Sequence, residues 1–261
     1  MSVSRSKSSR NGRARQPRAV AFYNLDGVVT GLKPTHAILF ILANIGVVHQ
    51  RVMSLVSFAA RFPRSYLIDD PKELNARLYE SLKGISSDRL VELGMEYCDR
   101  ILIKRLRPAA LELIEANRSL ELEPVIVSEC PETVVITICE HLGIDHFAAN
   151  RPVIARGIAT GRLANPSIVA EEKADWCVDY AQQNGIDLRA CWAYASSIAD
   201  LPMLAAVGHP VVVNPDRKLR AAAMVRQWPI MNFDKSVANE PEDFSGADII
   251  EFSRRPADGA S

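Results

Sequence analysis

The chain of 261 residues carries 31 Lys and Arg against 31 Asp and Glu, so its formal net charge is zero, and 48% of it is apolar. That balance excludes a polyelectrolyte or a low-complexity chain and suits a soluble globular protein, one sizeable α/β domain with an insertion. Cys98, Cys130, Cys139, Cys177 and Cys191 are odd in number and show no C-x-x-C spacing, which argues against a disulfide framework or a zinc site and for buried thiols in a reducing compartment.

In chain order, Met1 to Arg18 holds Arg5, Lys7, Arg10, Arg13, Arg15 and Arg18 without an acid. It reads as a solvated, disordered arm, and a nucleic-acid partner is expected only through it. No apolar segment comes after it that would make it a secretory signal. Ala19 to Tyr23 then fits a strand buried on both faces, or part of a buried helix, ending on Asn24 and Asp26 with a turn at Gly27. Ligands of open α/β sheets lie beyond the carboxyl ends of strands, so Asn24 and Asp26 stand where chemistry is expected.

From Leu32 to Leu106 the pattern is helical throughout. Pro34 opens a helix through Ile45, and a second runs from about Gln50 to Arg61; Pro63 and Pro71 punctuate the next stretch. Leu74, Leu78 and Leu82 repeat at helical spacing, and Ser87 is placed to cap a helix from Asp88 to about Ile103. The longest apolar run, Ala37 to Val48, falls short of the ~20 residues needed for a membrane span. Pro108 opens the next helix. Glu123 to Ser128 reads as a strand ending on a hydroxyl, with a helix after it to His141 stopped by Gly143. Turn signals between Arg151 and Asn165 predict a hairpin. Lys173 begins a helix with Ala174, Cys177, Val178 and Ala181 on one face, ended by Gly185. Taken alone, Ser128 reads as a helix cap and Lys173 as a surface charge. His36, His49, His141, His146 and His209 are scattered and carry no ligand pattern, and no phosphate-loop, serine-hydrolase or zinc-protease motif occurs. The acids from Glu240 to Glu251 read as a solvated tail.

Phe22-Tyr-Asn-Leu-Asp-Gly-Val-Val29 resembles the first motif of the haloacid dehalogenase superfamily, Asp-X-Asp-X-Thr/Val, with Asn24 in place of the first Asp. Cys191-Trp-Ala-Tyr-Ala-Ser-Ser-Ile-Ala-Asp-Leu-Pro-Met-Leu204 resembles the fourth motif of subfamily IB, the phosphoserine phosphatase-like branch, with Ser196 in place of its leading Asp. The resemblance implies a Rossmann-like α/β core, a parallel sheet flanked by helices, over 19–31 and 107–233. An all-helical cap is inserted over 32–106, the basic arm covers 1–18 and the acidic tail 234–261.

In the family the residue at Asn24 is the nucleophile that becomes an aspartyl phosphate, and that at Asp26 the general acid/base. The resemblance makes Ser128 and Lys173 phosphate-binding. It sets Mg²⁺ against the positions of Asn24 and Ser196 and the backbone carbonyl at Asp26, with Asp200 the other acidic position. An amide is a poor nucleophile beside a carboxylate, and phosphomonoester hydrolysis needs acceleration of up to ~10²¹-fold. The expectation is therefore a cytoplasmic phosphatase-like protein, catalytically impaired, holding magnesium weakly or not at all. Its pocket, better suited to an anion than to a cation, would keep a phosphorylated small molecule. The alternative is an active magnesium-dependent phosphomonoester hydrolase.

Overall fold

The computed structural model describes residues 19–46, 70–164 and 166–233. The arm, the helix expected from Gln50 to Arg61, Pro63, His49 and the acidic tail lie outside the described residues. Along the chain the strands are β1 (Ala19–Asn24), β2 (Leu122–Pro131), β3 (His146–Asn150), β4 (Pro152–Ala155), β5 (Ile158–Leu163), β6 (Trp192–Ala195), β7 (His209–Val213) and β8 (Ile230–Met231). The α-helices are α1 (Pro34–Asn44), α2 (Pro71–Glu80), α3 (Ser87–Tyr97), α4 (Pro108–Ser119), α5 (Glu132–Leu142), α6 (Glu171–Asn184), α7 (Leu201–Ala205) and α8 (Arg217–Arg226).

Six strands form one sheet in the order β3-β2-β1-β6-β7-β8, every pairing parallel. β1 is buried at each of its positions, as a central strand covered on both faces must be. The chain fills one side of β1 with β2 and β3, then crosses to the other with β6 to β8. That reversal opens a crevice at the carboxyl ends of β1 and β6, where such sheets bind ligands. Asn24 closes β1, and Ser196 comes directly after β6.

A polar clasp beneath the crevice holds these two strands. The rings of Tyr23 and Tyr194 stack with centroids 4.8 Å apart. Asn117 of α4 donates both amide hydrogens, one to each phenol oxygen, at 2.6 and 2.8 Å. The three residues are buried, so Asn117→Leu strands two hydroxyls and is expected to cost about 1–3 kcal/mol, read as a lower urea midpoint with unchanged slope.

Helix boundaries obey local chemistry. Pro34, Pro71 and Pro108 occupy first-turn positions, where the missing N–H removes nothing. Gly143 ends α5 in the left-handed region (φ 61°), and Arg118 donates to the terminal carbonyls of Leu142 and Gly143 at 2.9 and 2.8 Å.

The block between β1 and α4 departs from the sequence reading in three ways. Ser86, not Ser87, caps α3, accepting from the Arg89 amide. The helix expected to run to Ile103 changes its winding after Tyr97: Cys98–Leu102 is a π-helical turn and Ile103–Arg105 a 3₁₀ turn. The block is also not purely helical in its contacts, because the β4–β5 hairpin reaches it. The Gly84 amide donates to the Ala159 carbonyl at 2.9 Å, and Ser86 bridges Ile158. The chain leaves the core at Thr30 and returns at Leu106, and these two residues pair as an isolated bridge. Among the described residues no helix is long and apolar enough to cross a membrane.

Candidate active site

Asn24, Asp26, Ser128, Lys173, Ser196 and Asp200, far apart in sequence, converge at the carboxyl edge of the sheet. Asn24 Nδ2 donates to Asp200 Oδ2 at 2.6 Å, while its Oδ1 accepts the Asp26 amide at 3.3 Å. The second contact fixes which end of the side-chain amide faces the carboxylate. Lys173 Nζ donates to the other oxygen of Asp200, Oδ1, at 2.5 Å. Asp200 is thus held from both sides, and Asn24, Lys173 and Asp200 are all buried.

Lys173 faces inward because it lies on the buried stripe of α6, in line with Cys177 and Ala181. The expected stripe included Val178, which is instead exposed, and α6 begins at Glu171, two residues before Lys173. Burial alone pushes the Lys173 ammonium down, but Asp200 and Glu129 outweigh it and hold the group charged.

Ser128 is not at the end of a strand, as expected, but inside β2, within the register irregularity between Val127 and Pro131. Its hydroxyl donates to Asp26 Oδ2 at 2.9 Å and accepts the Cys130 amide at 3.0 Å. The Cys130 thiol donates to Asp26 Oδ1 at 3.3 Å. Burial raises the Asp26 carboxyl from its usual 3.8 to about 6, against the lowering effect of Lys173.

This shift gives stability a pH dependence of definite sign. The unfolded chain loses the Asp26 proton near pH 3.8 and the native protein near 6, so between those values the native state binds more protons. Stability therefore falls as pH rises from about 4 to about 6 and levels off above. Asp26→Asn is expected to flatten this decline and to stabilise the protein at pH 7 by about 1–3 kcal/mol, measured by urea unfolding across that range. A smaller slope remains, since burial also raises Glu129.

Gly27 has a reason of its own. It turns the chain after Asp26 at φ +83°, and a Cβ there would lie 2.0 Å from Ser196 Oγ. The serine hydroxyl donates to the Asp26 carbonyl at 3.4 Å.

These residues do not fit a divalent cation. At Asn24 the hydrogens of an amide, not lone pairs, face Asp200. The Asp26 carbonyl is engaged by Ser196, and the Lys173 ammonium abuts the remaining acid. Among the described residues no three His, Cys, Asp or Glu side chains are grouped to hold a metal ion.

Three residues that sequence reasoning missed, Glu129, Asn75 and Asn150, join the site. Glu129 lies 3.1 Å from Lys173 Nζ, and its Oε2 accepts from Asn75 Nδ2 of α2 at 3.4 Å. Asn75 Oδ1 in turn accepts from Asn150. Two carboxylates, Asp200 and Glu129, therefore contact one ammonium, with Asp26 within its electrostatic reach: neutral Asn24 and Ser196 take negative groups away from the site, and Glu129 supplies one.

A profile of the haloacid dehalogenase-like hydrolases matches residues 21–205. The chain is 32% identical over 232 residues to a protein of Mycobacterium tuberculosis named a probable phosphatase, covering 87% of this chain and 79% of that one. It is 31% identical over 224 residues to the inhibition of morphological differentiation protein of Streptomyces azureus, covering 85% and 80% respectively. In fold it is similar to a probable phosphoserine phosphatase of Vibrio cholerae, with a TM-score of 0.62 at 18% identity, over 90% of this chain and 64% of that one. Sheet order, the convergence of the motif residues at its carboxyl edge and the profile match agree, and the chain belongs to the haloacid dehalogenase-like hydrolase family.

Proposed function

We propose that this protein is a phosphatase-fold protein without phosphoryl-transfer chemistry, which keeps Ser128 and Lys173 as a site for a phosphorylated small molecule. One observation carries the reading: the side chain at the nucleophile position, Asn24, donates a hydrogen bond to Asp200 at 2.6 Å. A group that presents N–H to a carboxylate has no lone pair directed at an incoming phosphorus and no charge to attack with. Ser196 offers a hydroxyl engaged with the backbone in place of an acid. The two losses point the same way, since one removes the attacking group and the other an anchor for magnesium.

Asp26 supports a second reading. With its carboxyl near pH 6 beside Ser128, it is poised as a general acid/base close to neutral pH, which suits a working phosphomonoester hydrolase with a different nucleophile. An assay of p-nitrophenyl phosphate hydrolysis with magnesium separates the two. The first reading expects no turnover above background from the natural sequence. Turnover that disappears on Asp26→Ala overturns it in favour of the second.

A further inference from the structure

Glu129 has no part in the phosphatase motifs, yet it stands at the centre of the site. It sits next to Ser128, in the irregular stretch of β2, and such irregularities near active sites re-aim side chains. Its backbone is pinned: the carbonyl accepts from the Tyr79 hydroxyl at 2.9 Å and from Asn150 Nδ2 at 3.0 Å. Its carboxylate bridges Lys173 in the core and Asn75 in α2.

We infer that the Glu129 carboxylate is an internal stand-in for an anionic ligand, occupying Lys173 so that a phosphate group can bind only by displacing it. This rests on the reading of Ser128 and Lys173 as a phosphate site. Of the two acids that contact Lys173 among the described residues, Glu129 is the less firmly held. The Asp200 side chain is 1% exposed and held by Asn24 as well, whereas Glu129 is 20% exposed, with one long 3.4 Å contact besides the lysine. A phosphate entering while Glu129 stayed would sit against Asp26, Asp200 and Glu129 together, and like charges at such range oppose binding strongly. Displacement leaves Lys173 with one fixed acid and one vacant side. The phosphate then gains the charge-assisted contact that Glu129 gives up.

The test is calorimetric titration with inorganic phosphate. Glu129→Gln keeps the size and removes the charge, so it is expected to bind phosphate about tenfold or more tightly than the natural sequence. Ser128→Ala in the Glu129→Gln background is expected to lose that gain. Asn75→Ala alters no charge but frees one end of Glu129, and is expected to tighten binding by a smaller factor; it decides the matter if Glu129→Gln fails to fold. Phosphate affinity that is measurable but equal in the natural protein, Glu129→Gln and Asn75→Ala overturns the inference and leaves the phosphate site standing. No binding by any of them, with cooperative unfolding intact, overturns both.

Discussion

Restoring both acids, Asn24→Asp with Ser196→Asp, is expected to raise p-nitrophenyl phosphate turnover in magnesium buffer by on the order of 10³-fold or more over the natural sequence. Catalytic groups that act as a unit are grossly non-additive, so either single reversion is expected to gain little. The structure gives each single change a cost as well. Asp at position 24 places a carboxylate where an amide now donates to Asp200 at 2.6 Å, a like-charge contact worth several kcal/mol at the effective dielectric of protein sites, about 4 kcal/mol at 4 Å. Asn24→Asp alone should therefore lower the melting temperature while leaving activity at background. Asp at position 196 must fit against the Gly27 turn, where Ser196 Oγ already lies 2.0 Å from a would-be Cβ. A double variant that folds cooperatively yet stays silent would show that Asn24 does not stand at the nucleophile position.

The second large effect is on stability. Lys173→Met removes the single ammonium from a buried cluster in which Asp200 and Glu129 depend on it, at 2.5 and 3.1 Å. Breaking a buried pair by deleting one partner leaves an uncompensated charge and costs about 3–5 kcal/mol. For a domain of this size that corresponds to a fall in melting temperature of roughly 10 °C. Adding Asp200→Asn should return much of the loss, because the pair then fails to add. Asn24 can still donate to an amide oxygen at that place. A loss below about 1 kcal/mol for Lys173→Met would mean that water reaches the lysine and that the cluster is not a closed network.

Much of the fold was legible because punctuation and periodicity are local. The apolar run of β1, the prolines that open α1 and α4, and the glycines that end α5 and α6 stand where the sequence implies, while Pro71, read only as punctuation, opens α2. The candidate site was legible as a set of positions, since the structure brings Asn24, Asp26, Ser128, Lys173, Ser196 and Asp200 together. Their pairing was not. Lys173 turns to Asp200 and Glu129 rather than waiting free for a ligand, and Glu129 reads in sequence as an ordinary polar residue before a helix. What turns it inward is the irregular pairing of β2 with β3, a tertiary feature without a local signal. Asn75 and Asn150 are single amides whose importance lies in meeting each other. The break after Tyr97 was equally hidden, since nothing in Cys98 to Leu102 forbids a continuous α-helix.

The Tyr23–Asn117–Tyr194 clasp separates the architecture of this molecule from the chemistry of its edge. It fixes β1 against β6 from below, one residue before Asn24 and two before Ser196, through rings and an amide that take no part in the chemistry above. The positions of Asn24 and Ser196 are therefore set by a layer that does not require acids there. Substitution at the carboxyl edge can therefore change the chemistry while the strands keep their spacing. By the same token, the Asn24→Asp, Ser196→Asp variant is expected to keep the spacing of β1 and β6, because the clasp that sets it lies outside both substitutions.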